Sequence, residues 1–215
     1  MMYPVLTEVE IPVGGNVSIK GDLTVPPQSE SLVIFSHGSG SSRFSIRNRF
    51  VAEYLQQKKI ATLLIDLLQE AEDLDHVKKF DIELLSNRLM EVTSYMLEEP
   101  STSSFPIGFF GASTGAASAL RAAAQLPGII SAVVSRGGRP DLAAGFLDKV
   151  KAPTLLIVGS LDKDVVLLNR KAFALLSHEK KIEIIDGASH LFEEPGKLNI
   201  VAEMAAEWFT DYLKF

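Results

Sequence analysis

The chain has 215 residues, 47% of them apolar and 22% charged, with a formal charge of −6. That size and mix describe one soluble globular domain over 1–215, with core enough to need no disulfide or metal staple. Cysteine is absent, which removes thiolate nucleophiles, iron–sulfur clusters and cysteine zinc sites and fits a reducing, cytoplasmic setting. The acidic balance argues against a nucleic-acid partner. No run reaches the roughly 18 apolar residues of a membrane span, and MMYPVLTEVEIPV lacks the basic-then-apolar order of a secretory leader.

In chain order, 5–11 and 17–25 alternate apolar and polar residues, which predicts two early antiparallel strands turning through Gly14-Gly15-Asn16. The rhythm then changes. Short apolar runs follow at 32–36, 60–66, 106–111, 129–135, 153–159 and 181–186. Such runs suit strands covered on both faces, as in a parallel sheet. Helix-length segments separate them, at 45–58, 80–97, 114–126, 164–177 and 197–213. Alternation of this kind predicts right-handed crossovers and an open, doubly wound α/β sheet of about eight strands. Its crevice lies beyond the carboxyl ends of the strands, so chemistry is sought just after each strand.

The run at 106–111 leads into Gly111-Ala112-Ser113-Thr114-Gly115, a G-x-S-x-G sequence between a strand and a helix. That is the setting of a nucleophile elbow, where a sharp turn leaves no space for side chains two residues either side of the serine. A serine hydroxyl needs a base in hydrogen-bond reach, and the base needs an orienting acid. Of the four histidines, only His190 lies on a loop after a late strand, in Gly187-Ala188-Ser189-His190. The preceding strand, 153–159, is followed by Ser160-Leu161-Asp162-Lys163-Asp164. Asp162 stands nearer the strand end than Asp164 and is the favoured acid, with an ordinary helix cap as the alternative. Oxyanion donors are expected from the backbone N–H of Thr114 and from the loop His37-Gly38-Ser39-Gly40, where the N–H of Ser39 is favoured. His37 itself is expected to pack that loop.

Together these residues resemble the α/β-hydrolase superfamily over nearly the whole chain. In detail the chain is similar to the dienelactone-hydrolase-like branch, which is short and has no large cap domain. The resemblance implies Ser113 as nucleophile, Asp162 as acid and His190 as base. Dienelactone hydrolases proper use a cysteine nucleophile. Its absence here points to a serine esterase acting on a small ester, with no cofactor and no metal, as a monomer or homodimer. A thioesterase or lactone hydrolase with the same triad, or a ligand-binding protein on the same scaffold, are the alternatives. Activity should fall below a pH of roughly 6–7, where an ordinary imidazole gains its proton.

Two further features bear on the substrate. The acidic segment 67–80, with Glu70, Glu72, Asp73 and Asp75, lacks the alternation of a calcium loop and is expected to be a solvated lid. Five of eight arginines follow strands near the expected crevice. Arg43 or Arg136 is expected to hold a substrate carboxylate or phosphate, with salt bridges to the acidic lid as the alternative. Gly38-x-Gly40 with Asp66 imitates a dinucleotide fingerprint, but Arg43 stands where the third glycine belongs.

Overall fold

The computed structural model describes residues 5–214. Eight strands form one sheet: β1 (Val5–Pro12), β2 (Ser18–Val25), β3 (Leu32–Ser36), β4 (Ala61–Ile65), β5 (Ile107–Ala112), β6 (Ile130–Arg136), β7 (Thr154–Gly159) and β8 (Lys180–Ile185). Their spatial order is β1-β2-β4-β3-β5-β6-β7-β8. β2 runs antiparallel to both β1 and β4, and the pairs from β4 onward are parallel. This is the open, mostly parallel α/β sheet predicted from the rhythm of the sequence, in the topology that the resemblance to α/β-hydrolases implies, and among the described residues no large cap covers it.

The parallel strands read as continuous apolar runs because both faces are covered. On one face Val33, Phe35, Phe110, Val134, Leu155 and Ile157 meet α1 (Ile46–Gln57) and α6 (Lys197–Tyr212). On the other Ile34, Leu63, Phe109, Val133 and Leu156 meet α3 (Ile82–Glu98), α4 (Thr114–Gln125) and α5 (Lys163–Leu175). Neighbouring residues thus point to opposite layers, as the period of two requires.

Two helical pieces escaped the sequence reading. One is the short α2 (His76–Lys79), capped by Asp75. The other is a 3-10 stretch, Pro140–Lys149, kinked at Ala143. It packs against α4 and α5 rather than over the crevice, burying Ala143 and Leu147. Among the described residues no helix is long and apolar enough to cross a membrane.

Candidate active site

Ser113 sits between β5 and α4 with φ 53° and ψ −121°, a backbone conformation that L residues rarely adopt. The two motif glycines make this turn possible. A Cβ on Gly115 would stand 2.1 Å from the Ser36 carbonyl oxygen, and one on Gly111 2.5 Å from the Ala116 Cα. Strain is held in place by the surroundings. The Ser113 N–H donates to the Arg136 carbonyl at 3.2 Å, and its own carbonyl accepts from Arg139 at 3.0 Å.

Asp162 occupies the N-cap position of α5, yet its side chain makes no capping hydrogen bond. The carboxylate turns away and accepts instead from His190 Nδ1 at 2.6 Å. That bond orients the imidazole and leaves Nε2 for other work. Arg136 and Gly137 place this pair beside the elbow. The Arg136 carbonyl holds the Ser113 N–H, and a Cβ on Gly137 would stand 3.5 Å from His190 Cε1. Among the described residues no hydrogen bond joins the Ser113 hydroxyl to His190.

The loop carrying His190 has two anchors that no motif announced. Glu194 accepts the Ser189 N–H with both carboxylate oxygens, at 3.1 Å each, and hydrogen bonding from the Ser189 side chain, then its backbone, lowers its pKa. Phe192 is 1% exposed and adopts φ 58°, an uncommon conformation for a bulky residue, fixed by burial among α1 and α6. Neither anchor has a signature in one sequence. The first is local to the loop, and the second is visible only once α1 and α6 close over the sheet.

His37 packs the loop 37–40, where one oxyanion donor was expected. Its Nε2 accepts the Leu67 N–H at 3.0 Å, so the proton resides on Nδ1, which donates to the Gly38 carbonyl at 2.9 Å. Burial pushes its pKa below the ordinary imidazole value. Of the two expected oxyanion donors, the Thr114 N–H opens α4 with no partner among the described residues. The Ser39 N–H does have one: it donates to Thr114 Oγ1 at 2.8 Å. A pocket of about 500 Å³ opens on the far side of this loop, lined among others by His37, Ser41, Ser42, Phe44 and Leu68.

The two arginines differ in their surroundings. Arg43 is buried and fully engaged. Its Nε meets Asp22 at 3.1 Å, Nη2 meets Glu8 at 2.9 Å, and Nη1 meets Asp66. Those bonds occupy the guanidinium and the Asp66 carboxylate that the dinucleotide alternative would need. Arg136 has no carboxylate partner among the described residues. Its Nη2 donates to Asn48 Oδ1 at 3.2 Å and its buried Nε has no acceptor. Burial, then the like charge of Arg47, pushes its pKa down to about 10. No group of three metal-ligating side chains occurs among the described residues.

A solved dienelactone hydrolase from Anabaena variabilis is 51% identical, superposes with a TM-score of 0.95, and is covered over 98% of this chain and 99% of its own. The chain belongs to the dienelactone hydrolase family. No family model matches it. The esterase Est1E from Butyrivibrio proteoclasticus, at 19% identity and a TM-score of 0.81 over 95% of this chain and 98% of that one, shares the fold. Two Mycobacterium tuberculosis proteins, from strains CDC 1551 and H37Rv and provisionally named phosphoribosyl transferases, are 52% identical over 206 residues. The match takes in 96% of this chain but 46% of each of those proteins, so the chain spans about half their length.

Proposed function

We propose that the protein is a serine hydrolase that cleaves a small ester through an acyl-enzyme. The observation that carries this reading is the Asp162–His190 hydrogen bond at the rim where Ser113 stands on its strained turn. His190 Nε2 takes the Ser113 proton as Oγ attacks the ester carbonyl. The alcohol leaves with that proton, and a water activated by the same imidazole releases the acid. Asp162 holds the imidazole in the tautomer that this shuttle needs and stabilises the imidazolium formed midway.

Charge develops on the carbonyl oxygen during attack, and pre-aimed N–H groups stabilise it there. The Thr114 N–H is free for this task. The Ser39 N–H becomes available when the arriving oxyanion displaces Thr114 Oγ1. Among the described residues no large cap covers this end of the sheet, so entry for a small ester is open. The phosphoribosyl transfer in the name of the longer relatives is assigned to no residue of this chain.

A fluorophosphonate probe tests the reading directly. It should label the wild type at Ser113 and leave Ser113→Ala unlabelled, with the variant as stable as its parent. Labelling that persists in Ser113→Ala, or that fails in the folded wild type, would overturn it. Asp162→Asn should reduce turnover by about 10⁴-fold by the wrong tautomer alone.

A further inference from the structure

Residues 136–139, where the chain leaves β6, meet the serine and the imidazole at once. The Arg136 carbonyl accepts the Ser113 N–H at 3.2 Å, and the Arg139 N–H donates to the Ser113 carbonyl at 3.0 Å. Between them Gly137 backs onto His190: a Cβ there would stand 3.0 Å from the His190 carbonyl oxygen and 3.5 Å from its Cε1. The placing of this short loop therefore sets how far the imidazole stands from the Ser113 hydroxyl.

Two contacts hold the loop itself. The Gly137 N–H donates to the Ile157 carbonyl on β7 at 2.8 Å. The other contact comes from a side chain on α5. Asn169 Nδ2 donates to the Gly138 carbonyl at 2.9 Å and, with its second hydrogen, to the Val165 carbonyl at 2.8 Å. Gly138 has no freedom to yield, since a Cβ there would collide with Ser135 Oγ and stand 2.6 Å from the Ala116 Cβ. Both partners of Asn169 are carbonyl oxygens, which fixes the amide's orientation: flipped, it would set its own oxygen against them.

Asn169 is 0% exposed, and its Oδ1 has no partner among the described residues. An orphaned buried acceptor lowers stability, and an apolar side chain would fill the same place without one. The amide is thus accounted for by what it ties together. It stands seven residues, about two helical turns, after Asp162, the N-cap of the same helix. Asp162 in turn holds His190 Nδ1 at 2.6 Å.

We propose that Asn169 is a positioning residue that ties α5, which carries Asp162, to the 136–139 loop and so fixes the reach of His190 to Ser113. The positioning role rests on the ester-hydrolase reading, whereas the tie between helix and loop does not. Asn169 touches no substrate. It acts through the Gly138 carbonyl, on a frame from which serine, imidazole and carboxylate all hang.

Three variants of the full chain test this. Asn169→Leu removes both donors at similar volume. Asn169→Ser keeps a bond to the Val165 carbonyl one turn back, as helical serines do, with a side chain too short for Gly138. Ala172→Gly weakens α5 from another buried position and leaves the tie in place. The comparison is made at a temperature where circular dichroism shows every variant folded. In both Asn169 variants the rate constant of fluorophosphonate labelling and kcat on 4-nitrophenyl acetate should each fall by about a hundredfold, the cost of a misplacement near 1 Å, while labelling still runs to completion. Ala172→Gly should keep wild-type rates. A role in folding alone would leave the rates of the folded Asn169 variants unchanged.

Hydrogen exchange reads the tie without any ester. The Gly137 and Arg139 N–H groups should exchange about tenfold faster in both Asn169 variants, with the amides of β5 and β7 unaltered. A wild type that neither labels nor cleaves the ester would refute the hydrolase reading, and exchange would then decide the tie by itself. Wild-type rates in folded Asn169→Leu and Asn169→Ser would overturn the positioning role, and unchanged exchange would overturn the tie. If Asn169→Leu does not fold, Asn169→Ser decides both.

Discussion

Thr114 supplies two groups of different meaning. Its N–H opens α4 unpartnered, while its hydroxyl satisfies the Ser39 N–H at 2.8 Å. If the oxyanion displaces that hydroxyl, the bond stabilises the free enzyme and is lost on reaction. Thr114→Val keeps the shape and removes the hydroxyl. It should raise kcat/KM by roughly fivefold and lower stability by about 1 kcal/mol, the net worth of one hydrogen bond. Steady-state kinetics and urea unfolding check the two halves. A fall in kcat of a hundredfold would instead make the hydroxyl an oxyanion donor in its own right. At this scale the sequence was informative where a motif fixes backbone and chemistry together. Gly111 and Gly115 announce the elbow because any Cβ there collides with backbone. Asp162 could be ranked above Asp164 by its place after β7, but only coordinates show its carboxylate leaving the helix cap for His190. The fate of Arg43 was not legible, because Glu8 and Asp22 come from β1 and β2, brought to it by antiparallel pairing along the sheet edge.

Among the elements, strand and helix order was readable from periodicity, with boundaries within about two residues. The 140–149 stretch was not, since Pro140 and Gly145 read as loop and its helicity depends on packing against α4 and α5. The segment 67–80 was expected to be solvated, and residues 69–71 and 74–77 are exposed, but the segment is also anchored at its start. Leu67 and Leu68 are buried, and Glu72 is gripped by Arg88 on α3 through two bonds of 2.7 and 2.8 Å. Arg88 also donates to the Leu67 carbonyl at 2.9 Å, so one buried cation ties the segment down at two points. Glu72→Gln should therefore cost roughly 2 kcal/mol, since it leaves Arg88 buried and short of a charge partner. Limited proteolysis should then cut within 69–80 faster than in the wild type. A cleavage pattern unchanged by the substitution would show that Leu67 and Leu68 alone hold the segment.

Across the whole molecule, these local bonds combine into one pH response. The Arg88 guanidinium beside Glu72, above all, lowers that carboxyl from 4.5 to about 2. An acid depressed in the folded state adds stability above its unfolded pKa, and this stability is lost as pH falls toward the folded value. For Glu72 the loss runs from about 4.5 down to about 2. Buried His37 acts at a higher pH with the same sign. Its folded pKa lies below the unfolded value of 6.5, so the unfolded chain takes the proton first and stability begins to fall below that pH. Protonation also destroys the Nε2 acceptor for the Leu67 N–H, which joins the loop after β3 to the segment after β4. Acidification should thus lower the unfolding midpoint in two stages, the first below about pH 6.5 and the second below about pH 4.5. In His37→Asn the first stage should shrink while the second persists. In Glu72→Gln the second should shrink while the first persists. Calorimetry across pH 3–8 separates them, and a first stage of full size in His37→Asn would assign it to another group.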